Sequence, residues 1–100
     1  MCVLPASYKL DMEKVASTLG AKKVRLADEE EMAKLFGDAE VGAEPPFGNC
    51  YGLDTLVDDH LAEREEIVFQ AGTHRNAIRM KYADYAELVS PRVVDLAVHL

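Results

Sequence analysis

Cations are scarce in this chain: 11 lysines and arginines stand against 18 aspartates and glutamates, a formal net charge of -7 at pH 7 with the histidines neutral. Broad, sequence-blind adhesion to a phosphate backbone needs clustered Lys and Arg, so any contact with nucleic acid must be local. Cysteine is scarce too. Cys2 and Cys50 could pair, but nothing in the sequence reads as a secretory signal, so reduced thiols are expected; no spacing of Cys and His suits zinc. No apolar run approaches the ~20 residues that span a bilayer, and the N-terminus shows no charged flank followed by a long apolar stretch. The expectation is a cytoplasmic protein without a membrane partner, a metal or a cofactor. Also missing are the GxSxG elbow, the phosphate-cradling GxxxxGK[ST], HExxH and a dinucleotide-binding GxGxxG after a strand, which removes most common enzyme classes.

What is present is the composition of a packed protein: 100 residues, 49% hydrophobic and 29% charged. One domain spanning residues 1–100 is expected, with a radius of gyration of roughly 13 Å and room for one site. The basic residues fall in groups, Lys22, Lys23 and Arg25, then Arg75, Arg79 and Lys81, while acids concentrate at Asp28 to Glu31 and Asp58 to Glu66. The plain reading of this is two solvated faces of opposite sign.

Periodicity orders the chain. Met1 to Leu4 is a short apolar run halted by Pro5, a strand with no preceding turn. Met12, Val15, Ala16 and Leu19 recur at helical spacing between Asp11 as N-cap and Gly20 just past the end. Lys23 to Leu26 alternates polar and apolar, predicting a strand with Val24 and Leu26 inward. Asp28 caps a second helix with a stripe of Met32, Leu35 and Phe36. The stretch 38–53 holds three glycines with Pro45 and Pro46, too many backbone breakers for regular structure. Thr55 to Asp58 reads as a brief strand, followed by a polar turn or short helix from Asp59 to Arg64. Ile67 to Phe69 predicts a strand covered on both faces, and Asn76 to Lys81 a half-buried partner across a hairpin at Thr73, His74 and Arg75. Tyr82, Tyr85, Ala86 and Val89 predict a third helix stopped by Pro91, and Val93, Val94 and Leu96 a last strand. The order predicts a mixed α/β fold, a partly antiparallel sheet or open barrel flanked by about three helices.

Two segments carry candidate site residues. In the loop 41–48, Gly42 brings a backbone amide within reach of a ligand and Pro45 and Pro46 stiffen its approach, with Phe47 beside them; a rigid turn without a ligand is the competing reading. In Ala71-Gly72-Thr73-His74, a glycine after a buried strand hands over to two side chains able to donate and accept hydrogen bonds. An exposed turn histidine accounts for the same residues. Asp58, at a strand end, either orients a ligand or caps the following turn. Cys50 has no neighbour that would stabilise a thiolate and is expected to be a semi-buried structural thiol.

Joined in order, Val3-Leu4-Pro5-Ala6, Leu19-Gly20-Ala21, Val24-Arg25-Leu26-Ala27, the loop from Gly42 to Gly48, Val57-Asp58, Ala71-Gly72-Thr73-His74, Ile78-Arg79-Met80 and Pro91-Arg92-Val93-Val94-Asp95-Leu96 resemble the YbaK/aminoacyl-tRNA synthetase-associated domain over nearly the whole chain. The resemblance implies an aminoacyl-tRNA deacylase that hydrolyses the ester of mischarged tRNA, with tRNA(Pro) carrying a small amino acid as the expected substrate. The implied partners are the aminoacyl-tRNA 3′ end and an aminoacyl-tRNA synthetase. The family's glycine-x-x-x-proline loop corresponds to Gly42 and Pro46, and its glycine-bearing turn to Gly72, Thr73 and His74, which with Phe47 and Asp58 make the expected substrate-binding set. Relatives carry a functional lysine in a segment upstream of the position of Met1, and Lys9 does not occupy that motif, so no catalytic residue is assigned. A domain short of upstream strands would leave a sheet edge bare, predicting a homo-oligomer or another covering chain. The alternatives are a non-catalytic domain binding aminoacyl-tRNA or a partner protein, and a truncated, inactive homologue.

Overall fold

Local chemistry sets the first two helices. In the computed structural model, which describes residues 1–40 and 42–99, the Asp11 carboxylate accepts from the amides of Glu13 (3.0 Å) and Lys14 (3.2 Å), starting α1 (Met12–Leu19), and Gly20 ends it at φ 65. Asp28 and Glu31 exchange side-chain-to-amide bonds in a capping box at the head of α2 (Glu29–Leu35). Val41, which opens the candidate loop, and Leu100 lie outside the described residues.

The strands form three small sheets. β1 (Cys2–Val3), β3 (Leu56–Asp58) and β6 (Arg92–Val94) make a parallel sheet with β3 in the centre, in the register Val3↔Val57↔Val93. β2 (Tyr8–Leu10) pairs antiparallel with β7 (Ala97–His99), and β4 (Glu66–Gln70) with β5 (Ala77–Lys81). A single turn of helix, α3 (Asp59–Ala62), follows β3, and α4 (Tyr82–Val89) follows β5 directly. The fold is mixed α/β and partly antiparallel, with a radius of gyration of 13.2 Å.

Strand alternation places β3 between two cores. Val57 packs with Ile67, Tyr85 and Val89 on one side, while Leu56 packs with Val15 and Leu96 on the other. Burying the side chains of Val57 and Leu96, both fully enclosed, contributes about 1.5–3 kcal/mol each.

Four expectations need correction. Residues 23–26 form no strand: Arg25 turns back onto α2, holding Glu31 with two bonds of 2.6 and 3.0 Å and the Leu26 carbonyl at 3.2 Å, and Leu26 is 71% exposed. An alternating pattern makes a strand only when another strand takes its backbone groups. The second is β4, which is covered on one face, since Ile67 is buried while Val68 is 61% exposed. Of the stripe expected on α2, only Phe36, the residue just past the helix end, is buried, with Met32 half-buried and Leu35 exposed. Cys50, finally, is exposed, in a 3₁₀ turn at Gly48–Tyr51; like half-buried Cys2, it is a free thiol. Two strands, β2 and β7, carried too short an apolar pattern to be seen in the sequence.

Candidate functional site

The loop that begins after α2 and the turn of the β4–β5 hairpin are tied by their backbones. The Glu40 amide donates to the Gly72 carbonyl (2.7 Å), and the Gly72 amide donates to the Ala43 carbonyl (2.9 Å). The Ala43 amide closes a turn on Glu40 (3.0 Å), and the His74 amide reaches a Glu40 carboxylate oxygen at 3.4 Å. Gly42 and Gly72 have φ of 85 and 96, a region where a Cβ collides with the following carbonyl. A Cβ on Gly42 would lie 3.5 Å from Cε1 of His74, an ordinary contact, so it is the backbone conformation rather than space that calls for glycine there. Gly42, Gly72, Thr73 and His74 thus meet at one place. The Gly42 amide points to a Glu44 carboxylate oxygen (3.0 Å), and the Thr73 hydroxyl accepts from the Asn76 side chain (2.8 Å), holding the turn closed.

Behind this junction the loop is anchored in the core. Pro46 is buried, and its carbonyl accepts from the hydroxyl of Tyr85, whose pKa is pushed up to about 12 by burial and by the neighbouring Tyr82. Phe47 stacks edge-on with Phe69 (5.4 Å) and Tyr85 (5.5 Å), so it belongs to the wall that carries the loop. Gly48 backs onto Thr55 so closely that a Cβ would sit 2.9 Å from the Leu53 carbonyl oxygen and closer still to the Thr55 hydroxyl. Both ends of the loop segment are therefore held, one by Tyr85 and Gly48, the other by Gly72.

Asp58 sits elsewhere in the bonding network. Its side chain is fully buried; Oδ1 accepts from the Leu96 amide (3.0 Å), and Oδ2 from the His60 amide (3.1 Å) and ring Nδ1 (2.9 Å). Burial works against the charge, but these bonds outweigh it and hold the carboxyl below its ordinary value. The bond from Asp58 raises the pKa of His60, whose ring lies 4.6 Å from that of Tyr8, which in turn meets His99 edge-on at 4.9 Å. This junction caps α3 and joins β3 to the start of β7. Asp58, Asp59 and His60 form a group whose potential ligand atoms lie within 4.8 Å of one another, but Asp58 spends both oxygens on protein donors.

A cavity of ≈ 630 Å³ opens on the far side of the loop, with Val3, Val15, Met32, Phe36, Glu44 and Pro46 among its walls. Sequence reasoning missed it, because its walls come from β1, α1, the 24–27 segment and α2, which no local pattern brings together. Glu44 and Pro46 give the loop a second face, while no residue of the 72–74 turn lines this cavity. No helix among the described residues is long and apolar enough to cross a membrane.

Known proteins resemble this chain in sequence and fold. The chain is 33% identical over 96 residues to the multifunctional Ser/Thr-tRNA deacylase ProXp-y of Escherichia coli strain K12, covering 95% of this chain and 57% of that protein. It therefore spans little more than half the length of that curated relative. Among solved structures, a candidate trans-editing enzyme for prolyl tRNA synthetase superposes with a TM-score of 0.80 at 28% identity, over 91% of this chain and 57% of that one. A scaffold protein from computational epitope grafting superposes with a TM-score of 0.84 at 26% identity, over 97% of this chain and 63% of the other. Residues 1–88 match the family of the aminoacyl-tRNA editing domain, and the chain belongs to that family.

Proposed function

We propose that this chain is an aminoacyl-tRNA deacylase, which removes a wrongly attached amino acid by hydrolysing its ester to the tRNA 3′ end. The observation that carries the reading is the pair of backbone bonds joining Glu40 and Ala43 to Gly72, which holds Gly42 beside His74. An aminoacyl ester is already activated, so hydrolysis needs a fixed carbonyl, an amide aimed at the developing oxyanion and a positioned water rather than a protein nucleophile. The Gly42 amide is such a donor, at present held by Glu44, and a substrate carbonyl would take its place. His74 and Thr73 supply donors and acceptors for the terminal ribose, whose own hydroxyl can assist the water. Pro46 and Phe47 stiffen the loop, and Asp58 acts at a distance by holding β3 to Leu96.

The likeness to a Ser/Thr-tRNA deacylase and to a candidate prolyl trans-editing enzyme supports a small amino acid as the group removed. One methylene in a pocket is worth roughly 10 to 200-fold in discrimination, so exclusion of bulky amino acids is the stronger filter. The test is to incubate folded protein with Ser-tRNA, Thr-tRNA, Ala-tRNA(Pro) and Cys-tRNA(Pro). Release of amino acid above buffer from one or more is expected; binding without release from any of them would replace the enzyme reading with that of a binding domain.

A further inference from the structure

The hairpin that supplies the 72–74 turn has a second, outward face that the deacylase reading leaves unused. In the β4–β5 register, Ile67 and Phe69 oppose Met80 and Ile78, of which Ile67, Phe69 and Met80 pack in the core while Ile78 is 45% exposed, and Val68 opposes Arg79 and Glu66 opposes Lys81 on the other side. Arg79 and Lys81 are exposed there, and Arg75 continues the cationic row into the turn beside His74. Three cations thus stand within seven residues of a chain whose net charge is -7. None of the ion pairs among the described residues engages them: Lys14 takes Asp95, Arg25 takes Glu31, Lys34 takes Glu30 and His60 takes Asp58 and Asp59. Glu66 is the one carboxylate on the face by register, and it forms no such pair with Lys81. The hydrophobic residue Val68 is 61% exposed between them.

Resting on the proposed function, we infer that this face is a track for the phosphate backbone of the tRNA acceptor arm, leading the charged 3′ end to the Gly42–His74 junction. Strand spacing sets successive cations on one face about 6.8 Å apart, two residues at about 3.4 Å each, so Arg79 and Lys81 meet separate phosphates. The turn that ends the row is the turn whose Gly72 is bonded to Glu40 and Ala43, the residues around Gly42, so a strand of RNA following the cations arrives at the proposed site. Charge complementarity selects the occupant: a protein partner would meet a face with an uncompensated positive row, whereas a polyanion neutralises it. The net negative charge of the chain then disfavours approach of RNA away from its cationic groups.

The test measures binding of an uncharged acceptor-stem RNA hairpin to the wild type, to an Arg79→Gln/Lys81→Gln variant and to a Lys22→Gln/Lys23→Gln variant, over a range of salt. All four positions are exposed, so folding is checked simply by matching circular dichroism. The expected result for the hairpin variant is affinity reduced at least tenfold and a log–log salt slope shallower by about 1.4–1.8, the loss of two phosphate contacts. The Lys22/Lys23 variant should bind like the wild type. Equal binding and an equal slope in the hairpin variant would overturn the track, and so would an equal loss in both variants, which would signify net charge alone. Hydrolysis of aminoacyl-tRNA by the same proteins is scored separately: a raised KM with unchanged kcat agrees with the track, and a lowered kcat with unchanged KM contradicts it. Absence of hydrolysis by the wild type counts against the deacylase reading alone, because the RNA-binding arm stands without it.

Discussion

Two junctions organise this molecule, and they are built on opposite principles. At one, the Asp58 carboxylate is sealed inside and spends both oxygens on the Leu96 amide, the His60 amide and the His60 ring. At the other, main chain meets main chain at Glu40, Gly72 and Ala43, and the side chain of His74 is exposed at the rim. A buried carboxylate that accepts hydrogen bonds through both oxygens rigidifies its surroundings. At the second, backbone bonds fix the chain while the His74 side chain lies at the surface. The first junction is enclosed within the fold, and the second lies at the surface, where the proposed deacylase site would stand.

The sharpest way to break that division is at Asp58. Replacing it by alanine strands the Leu96 amide, removes the α3 cap and should lower unfolding free energy by about 3–4 kcal/mol, while the hydrolysis rate per folded molecule stays within about twofold. Urea denaturation alongside a single-turnover assay reads both, and a collapse of rate in protein still folded would place Asp58 in the site after all.

Gly42→Val should show the reverse. A β-branched side chain at φ 85, beside His74, displaces the amide and should reduce kcat/KM by about 100-fold, which is about 2.7 kcal/mol in the barrier, with helix content preserved. Unchanged hydrolysis by this variant would remove the loop from the site.

Tyr85→Phe probes the link between the two principles, because it leaves the buried Pro46 carbonyl without its donor. A stability loss of about 1–2 kcal/mol is expected from thermal melts, with a smaller drop in hydrolysis than Gly42→Val as the loop loosens.

The smallest effect concerns pH. His60 has its pKa raised by Asp58, so its contribution to stability is complete below the unfolded value near 6.5 and is lost as pH rises through the raised folded value. Asp58, held low, contributes above its unfolded value near 3.9 and loses that contribution as pH falls through the lowered one. The stability gap between wild type and His60→Gln should therefore be wider at about pH 5.5 than at about pH 8.5. A gap independent of pH would mean that the ring acts only by packing on Tyr8.

The elements that could be read in advance are those whose cause is local. Asp11 and Gly20 bound α1, Asp28 caps α2, Pro91 follows α4, and the hairpin of β4 and β5 follows from two apolar runs around Gly72. The 23–26 strand failed because Arg25 prefers Glu31, a carboxylate held down to about 2 by the guanidinium and the Asp28 amide, and no neighbouring strand competes for that backbone. Of the site residues, Gly42, Gly72, Thr73 and His74 meet at one junction, whereas Phe47 and Asp58 carry side chains with strong structural demands of their own.

The order of amino acids determined by itself where helices start and stop, where the chain turns and which residues are conformationally special, because caps, prolines and glycines act within a few bonds. Tertiary structure alone decided that Glu40 and Gly72 join, that Asp58 accepts from the Leu96 amide and that a cavity of ≈ 630 Å³ opens behind Pro46. Those outcomes depend on hydrogen bonds and packing between segments some thirty or more residues apart, and such partners are chosen only when the whole core closes.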